Sequence, residues 1–254
     1  MKKNDLPFFA MREISHAFDG KAILKEVSLD VKQGEIVSLL GASGVGKTTL
    51  FNIAAGLLAA DRGDVLFKGE RINGQVGKIA YMLQKDLLLS HLTVEENVAL
   101  PLLIRKEPKE KALAQARSLL QKFGLANYEK SYPSALSGGM AQRAAFLRTT
   151  FFASELLLLD EPFSALDAIT KAQMHQWYLE FTEYLKLSTL LITHSLDEAL
   201  YLSDRIYVLG NRPGEIIKEF AVPEQIRRQK EAWTEASYIQ LKKELLDLLD
   251  SQPK

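Results

Sequence analysis

The residues with the clearest capacity for chemistry form a glycine-rich run at positions 41–49, GASGVGKTT. Its pattern is typical of a loop that surrounds phosphate oxygens with backbone N–H groups and a helix N-terminus. The candidate phosphate ligands are Gly41, Ala42, Ser43, Gly44, Val45, Gly46, Lys47, Thr48 and Thr49. We expect Lys47 to neutralise the β- and γ-phosphates of a nucleotide and the Thr48 hydroxyl to ligate Mg²⁺. A plain glycine-rich turn is the alternative, which the apolar run before it and the helical pattern after it disfavour.

An acidic pair follows a purely apolar run at residues 156–159. A buried strand there would deliver Asp160 and Glu161 to the sheet edge at which the glycine-rich loop also lies. We expect Asp160 to hold Mg²⁺ through water, and Glu161 to orient and activate the water that attacks the γ-phosphate. Taken alone, an acidic pair after a strand is commonly a helix N-cap. Its occurrence together with the loop favours nucleotide hydrolysis.

A third motif, LSGGMAQR, occupies residues 136–143 and is called the signature segment below. Ser137 is predicted to cap a helix, and the adjacent Gly138 and Gly139 would expose backbone N–H groups at its start. The segment is therefore predicted to be a second anion site, separate from the first loop. Standing alone, it would indicate no more than a capped helix.

In order and separation these motifs resemble the nucleotide-binding domain of the ABC ATPase family, and the resemblance covers nearly the whole chain. The matching features, in chain order, are the loop at 41–49, Gln84, the signature segment, Asp160 with Glu161, Asp167 and His194. The resemblance implies an α/β fold: a P-loop NTPase (RecA-like) core with an ABC-type antiparallel β-subdomain and an inserted α-helical subdomain. It also implies that ATP and Mg²⁺ are the cofactors.

The resemblance assigns roles to further residues. Gln84 would contact Mg²⁺ or the attacking water, and His194 would contact the γ-phosphate, so both join Glu161 as expected catalytic residues. Phe18 occupies the position at which the family stacks an aromatic ring on adenine. ATP would lie between the loop of one copy and Ser137, Gly138 and Gly139 of a second copy, with Asp167 bridging the two sites.

The resemblance extends to ATPases of the nitrate, sulfonate, taurine and thiamine-precursor uptake group. The similar stretches are the leucine-rich residues after Gln84, the methionine in LSGGM, and SDRIYVLGNRPGEI with only a short tail after it. It implies an importer subunit on the cytoplasmic face of the membrane, held by transmembrane permease subunits and served by an extracytoplasmic substrate-binding protein. An exporter subunit, a soluble ABC protein and a P-loop metabolite kinase are the alternatives.

Residues 84–98, called the leucine segment below, carry Leu87, Leu88, Leu89 and Leu92. They are more apolar than a free surface loop, so they either pack the helical insert onto the core or receive a helix of the permease.

Composition excludes several classes of protein. The 32 basic and 32 acidic side chains cancel, which argues against nucleic-acid binding. The chain contains no cysteine, so disulfides, thiol nucleophiles and cysteine metal sites are excluded, and a cytosolic setting is expected. No stretch approaches the roughly 18–20 apolar residues of a membrane-spanning helix. Another chain is therefore expected to cross the membrane.

The elements that must position these residues follow from hydrophobic periodicity. Strands are predicted at residues 27–31, 35–40, 64–67, 78–83, 156–159, 189–193 and 205–209. Helices are predicted at 46–57, 95–104, 110–123, from about 139, at 168–187 and at 196–202. We expect an ATPase domain over 1–222 with a helical insert at about 85–150, followed by a short helical tail at 223–254.

Overall fold

A computed structural model describes residues 7–152, 155–229 and 232–252. The chain forms two units: the first contains Met1–Lys78 and Leu187–Lys254, and the second contains Ile79–Lys186. The predicted boundaries of the ATPase domain, its helical insert and its tail differ from the limits of these two units, and they stay predictions.

The first unit contains an antiparallel sheet with the strand order β2-β1-β4-β5. Its strands are β1 (Phe9–Phe18), β2 (Lys21–Val31), β4 (Arg62–Phe67) and β5 (Glu70–Arg71). Strand β1 was not predicted from the sequence. Its pairing with β2 shifts register three times, between Met11 and Ala17, so its buried side chains do not alternate strictly along the chain.

The parallel strands of the first unit carry the core beneath the glycine-rich loop. They are β3 (Ile36–Leu40), β8 (Ser188–Ile192) and β9 (Arg205–Gly210), with the antiparallel β10 (Glu215–Ala221) beside β9. All five residues of β3 and all five of β8 are buried, as expected for parallel strands covered on both faces. Strand β10, like β1 and the two-residue β5, was not predicted from the sequence.

Three helices complete the first unit: α1 (Lys47–Ala54), α6 (Leu196–Leu202) and α7 (Ala236–Asp250). Helix α7 covers about the second half of the tail that was predicted to be helical. Tyr238 and Leu245 of α7 pack into an apolar cluster with Leu200 of α6 and Val208 of β9. The tail helix is therefore part of the core of the first unit.

The second unit is mostly helical. Its parallel strands are β6 (Ala80–Met82) and β7 (Leu156–Asp160), and its helices are α2 (Val94–Ile104), α3 (Lys109–Lys122), α4 (Gly138–Thr150) and α5 (Ala168–Leu185). A capping box formed by Thr93 and Glu96 starts α2. The ion pair between Glu95 and Arg117, with Nε 2.5 Å from the carboxylate, joins α2 to α3. The predicted helices at 95–104 and 110–123 are thus confirmed to within one residue at each end.

Candidate nucleotide-binding and hydrolysis site

The glycine-rich loop, called the phosphate loop below, connects β3 to α1 in the first unit. The Lys47 ammonium donates hydrogen bonds to the carbonyl oxygens of Gly41 (2.8 Å) and Ala42 (2.9 Å). Gly44 and Gly46 take left-handed backbone conformations with φ of +76° and +110°. A side chain would be strained at both positions. The loop therefore curls around the lysine that the sequence predicted to face phosphates.

Neighbouring backbone and side-chain atoms fit closely against the phosphate loop. A Cβ on Gly41 would lie 2.5 Å from the Leu209 carbonyl oxygen, and one on Gly46 would lie 2.7 Å from Leu24 Cδ2. A Cβ on Gly214 would lie 2.4 Å from the Val45 carbonyl oxygen. The phosphate loop is thus held from outside by β2, by the end of β9 and by the turn before β10.

His194 lies at the same sheet edge as the phosphate loop. Strands β3 and β8 are parallel, with Leu39 opposite Ile192, so the segments that follow the two strands leave the sheet at the same edge. The His194 side chain is exposed there. Its position is fixed on either side, because the Ser195 N–H donates to Thr193 Oγ1 at 3.0 Å and the Ser195 side chain caps α6.

Phe18 ends strand β1 and is 48% exposed. The hairpin of β1 and β2 that carries it lies on the phosphate loop through Leu24. Phe18 is therefore an exposed ring on the hairpin whose Leu24 contacts the phosphate loop, and its stacking on adenine stays a prediction.

In the second unit, Gln84 and Glu161 meet. Strands β6 and β7 are parallel, with Met82 opposite Leu159, so the residues that follow each strand share one edge. The Gln84 amide donates to Glu161 Oε2 at 3.3 Å and to Ser164 Oγ at 3.4 Å. The Ser164 hydroxyl in turn donates to the Glu161 carbonyl oxygen at 2.9 Å. Two of the predicted catalytic residues are thus in direct contact.

Asp160 is buried at the end of β7. The Tyr81 hydroxyl donates to its Oδ2 at 3.4 Å. Burial raises the pKa of Tyr81, and the negative charge and hydrogen bond of Asp160 raise it further. The tyrosine thus stays a donor that steadies the Asp160 carboxylate.

The signature segment starts helix α4, as predicted. Ser137 Oγ accepts a hydrogen bond from the Met140 N–H at 3.4 Å, and Ser137 and Gly138 are exposed. A Cβ on Gly139 would lie 3.0 Å from Thr170 Cγ2. Two exposed residues at a helix start therefore present N–H groups outward.

Asp167 caps helix α5. Its Oδ1 accepts hydrogen bonds from the N–H groups of Ile169 (3.1 Å) and Thr170 (3.0 Å). Hydrogen bonds from the side chain and backbone of Thr170 lower the pKa of this carboxyl. The structure thus shows Asp167 as a helix cap, and its bridging role stays a prediction.

Sequence reasoning missed three supporting residues in the second unit. Ser164 touches both Gln84 and Glu161. Gln142 of the signature segment donates to the Pro162 carbonyl oxygen, next to Glu161. Arg148 donates to the carbonyl oxygen of Leu87 at 2.8 Å. Only the position of Gln142 within a motif gave any signal, because these contacts join residues far apart in sequence.

Comparison with known proteins identifies the family that shares these motifs. The family model described as ABC transporter matches residues 24–164, more than half of the chain. The chain belongs to the ABC transporter family. This ABC ATPase has the predicted fold: an α/β P-loop core, an antiparallel sheet and inserted helices.

Individual relatives of the ABC ATPase are similar over most of its length. The formylaminopyrimidine import ATP-binding protein ThiZ of Halalkalibacterium halodurans is 43% identical over 240 residues, which cover 93% of this chain and 94% of ThiZ. The aliphatic sulfonates import ATP-binding protein SsuB 2 of Pseudomonas syringae pv. tomato is 43% identical over 214 residues, covering 84% and 87%. A solved dimeric ATP-binding cassette, in a post-hydrolysis state with ADP and Pi, is similar with a TM-score of 0.71 and 27% identity, covering 85% and 99%.

Among the described residues of the ABC ATPase, every helix is too short or too polar to cross a membrane.

Proposed function

We propose that this ABC ATPase hydrolyses ATP to power the import of a small solute through separate membrane permease subunits. The observation that carries the hydrolysis is the contact of the Glu161 carboxylate with the Gln84 amide at the edge of a parallel strand pair. The phosphate loop in the first unit supplies groups that can bind the phosphates of ATP. Its Lys47 ammonium is held there by hydrogen bonds to two carbonyl oxygens of the loop.

The residues divide the work of hydrolysis. The phosphate loop and the N-terminus of α1 bind the phosphates through backbone N–H groups, and Lys47 offsets their charge. Glu161 accepts a proton from water as the water oxygen bonds to the γ-phosphorus, and the bond to the ADP oxygen breaks. Gln84 orients Glu161 and the water, and His194 steadies the γ-phosphate. Phe18 stacks on adenine.

The oxygen-rich donor set suits Mg²⁺. Thr48, Gln84 and Asp160 would hold the ion through a hydroxyl, an amide and a carboxylate, the hard oxygen ligands that it prefers. The described residues form no cluster of three or more His, Cys, Asp or Glu side chains that could hold a metal alone. A site of this kind fits an ion that arrives with nucleotide phosphates, whose charge it would neutralise.

A second copy of the chain completes each site in this proposal. The exposed N–H groups at Ser137 and Gly138 would bind the nucleotide held on the phosphate loop of that copy, with Gly139 behind them. Asp167 would link the two sites. The dimeric cassette with ADP and Pi supports this assembly by similarity.

The importer assignment draws on the relatives. ThiZ and SsuB 2 are named import ATP-binding proteins, and the resemblance to their group was already evident in the sequence. We infer a peripheral position on the cytoplasmic face of the membrane, where the permease subunits hold the ATPase and an extracytoplasmic substrate-binding protein delivers the solute.

Product analysis separates ATP hydrolysis from the metabolite kinase alternative. Purified protein with ATP and Mg²⁺ is expected to give ADP and free phosphate in equal amounts with no added acceptor. A requirement for a small-molecule acceptor that becomes phosphorylated would overturn the proposal. The importer assignment is tested by co-purifying the membrane chains and measuring uptake in reconstituted vesicles. ATP-dependent export by that complex would contradict it.

A further inference from the structure

His16 of strand β1 is a buried polar side chain with no hydrogen bond. The residue is 8% exposed, and both ring nitrogens lack a hydrogen-bond partner. Burying a polar group in this way costs folding free energy that an apolar side chain would avoid. The contacts that the ring does make therefore indicate what it does.

The closest of these contacts is with Phe18. The two ring centroids are 4.6 Å apart and the ring planes meet at 85°. This edge-to-face arrangement is one that aromatic pairs favour, and it depends on the orientation of both rings. Phe18 is 48% exposed, so His16 supports the ring from within while much of its surface stays open to a ligand.

Asp61 holds the backbone of the same short stretch. Its N–H donates to the Ser15 carbonyl oxygen at 3.0 Å, and its Oδ2 accepts from the Ala17 N–H at 2.7 Å. Its Oδ1 lies 3.6 Å from His16 Nδ1. Asp61 therefore forms hydrogen bonds to β1 on both sides of His16, at the point where the pairing of β1 with β2 shifts register.

The stretch is also tied to the phosphate loop. His16 lies opposite Leu24 in the pairing of β1 with β2, and Leu24 Cδ2 is the atom nearest to a Cβ built on Gly46. The support beneath Phe18 and the wall of the phosphate loop are therefore neighbouring residues of one hairpin. A base on Phe18 and phosphates in the loop would be positioned by the same short piece of sheet.

We propose that His16 is a positioning residue for nucleotide binding: it fixes the Phe18 ring at the angle that accepts a purine base, and Asp61 holds His16 in place. This inference rests on the proposed role of Phe18 as the adenine-stacking ring. It assigns His16 to recognition of the base and gives it no part in phosphate binding or in hydrolysis.

The test compares a ligand that has a base with one that lacks it. ADP and inorganic pyrophosphate are titrated calorimetrically, since neither turns over. His16→Leu is expected to weaken ADP binding about threefold to tenfold, in line with the worth of one aromatic pair. Pyrophosphate binding is expected to be unchanged. His16→Phe, which keeps an aromatic ring in contact with Phe18, is expected to restore most of the ADP affinity.

A double-mutant cycle shows whether the effect acts through Phe18. Phe18→Ala should weaken ADP binding, and adding His16→Leu to it should cause no further loss. The matched control is Phe67→Leu, which removes the edge-to-face pair of Phe8 and Phe67 (5.2 Å) from the same sheet. Phe67 lies opposite Phe9, at the other end of β1, so its loss should leave the ratio of ADP to pyrophosphate affinity unchanged.

The midpoint of thermal unfolding shows whether a variant binds ADP less tightly only because it is less stable. His16→Leu removes two unpartnered buried nitrogens, so its midpoint is expected to equal or exceed that of the wild type. If Phe18→Ala weakens ADP binding and His16→Leu does not, the inference about His16 is overturned while the role of Phe18 stands. Equal weakening of pyrophosphate binding by His16→Leu would also overturn it. If Phe18→Ala leaves ADP binding unchanged, both the base-stacking role and the inference are wrong.

Discussion

Glu161 has a backbone conformation that is unusual for its residue type. Its φ is +47°, in the left-handed region, where a residue with a Cβ pays about 1–3 kcal/mol. The Ser164 N–H and hydroxyl both donate to the Glu161 carbonyl oxygen, at 3.2 and 2.9 Å. These bonds hold the strained turn and aim the carboxylate at Gln84. Strain that is retained in this way is typical of functional positions.

At the residue scale, Glu161→Gln tests the catalytic carboxylate. The amide oxygen can still accept the Gln84 hydrogen bond, so the shape of the site should survive, but an amide cannot accept the proton of the attacking water. ATP binding is expected to persist while hydrolysis falls about a hundredfold or more. An ATP-bound dimer should then accumulate in size-exclusion chromatography with ATP and Mg²⁺.

The control for this change is Glu183→Gln, an exposed carboxylate of α5 in the same unit. It removes the same charge and should keep wild-type turnover. Hydrolysis by Glu161→Gln at the wild-type rate would show that another group activates the water.

At the element scale, the leucine segment has a fixed backbone and exposed apolar side chains. Asn97 is fully buried; it accepts from the Leu89 N–H at 2.7 Å and donates to the Leu89 carbonyl oxygen at 3.0 Å. Arg148 holds the Leu87 carbonyl oxygen. Yet Leu87 is 51% and Leu89 is 37% exposed, whereas Leu88 and Leu92 are half-buried. The structure thus divides the four leucines between the two sequence-based interpretations.

This division sharpens the prediction for the permease contact. Leu87→Glu and Leu89→Glu should leave basal ATPase activity and thermal stability near wild type, because both side chains already face solvent. Co-purification of the permease and transport should fall, since a charge would enter an apolar helix-in-groove contact. Leu88→Glu, in contrast, should lower the thermal midpoint, because the charge would be half-buried.

Ile104→Glu is the matched control for the leucine variants. Ile104 is 68% exposed at the end of α2 in the same unit, outside the leucine segment, so its substitution should leave co-purification intact. If Leu89→Glu unfolds the protein or abolishes basal activity, the leucine segment belongs to the core and the permease must bind elsewhere.

The same scale shows what the sequence could predict. The phosphate loop was evident because glycines and a lysine at this spacing have few other uses between an apolar run and a helical pattern. The acidic pair could be interpreted only because it occurs together with that loop. Strand β1 was not evident, because its register shifts disrupt the alternation that marks a strand. The roles of Ser164 and Arg148 were also hidden. Each depends on contacts with residues brought close only by tertiary packing.

At the scale of the whole molecule, the question is whether one copy can turn over ATP alone. Ser137 and Gly138 are exposed at the start of α4. Ser137 uses its hydroxyl oxygen to cap Met140 and its carbonyl oxygen to accept from the Ala141 N–H at 2.9 Å, whereas the N–H groups at a helix start have no partner within the helix. This arrangement fits a segment that serves a nucleotide held by another copy, and it leads to a prediction about mixed dimers.

Ser137→Arg should leave ATP binding by the monomer near wild type and stop turnover, because it blocks only the surface that meets the second copy. Gly139→Asp should do the same, with some added loss of stability because its Cβ would lie 3.0 Å from Thr170 Cγ2. Lys47→Ala should instead weaken ATP binding, since it removes the charge that faces the phosphates.

Mixing Ser137→Arg with Lys47→Ala gives heterodimers in which one composite site has an intact phosphate loop and an intact signature segment. We expect the ATPase activity of this mixture to exceed that of either variant alone. It should reach up to about a quarter of the wild-type rate if the copies pair at random and the sites act independently. Loss of ATP binding by monomeric Ser137→Arg, measured with a fluorescent ATP analogue, would show that the segment acts on the nucleotide of its own chain.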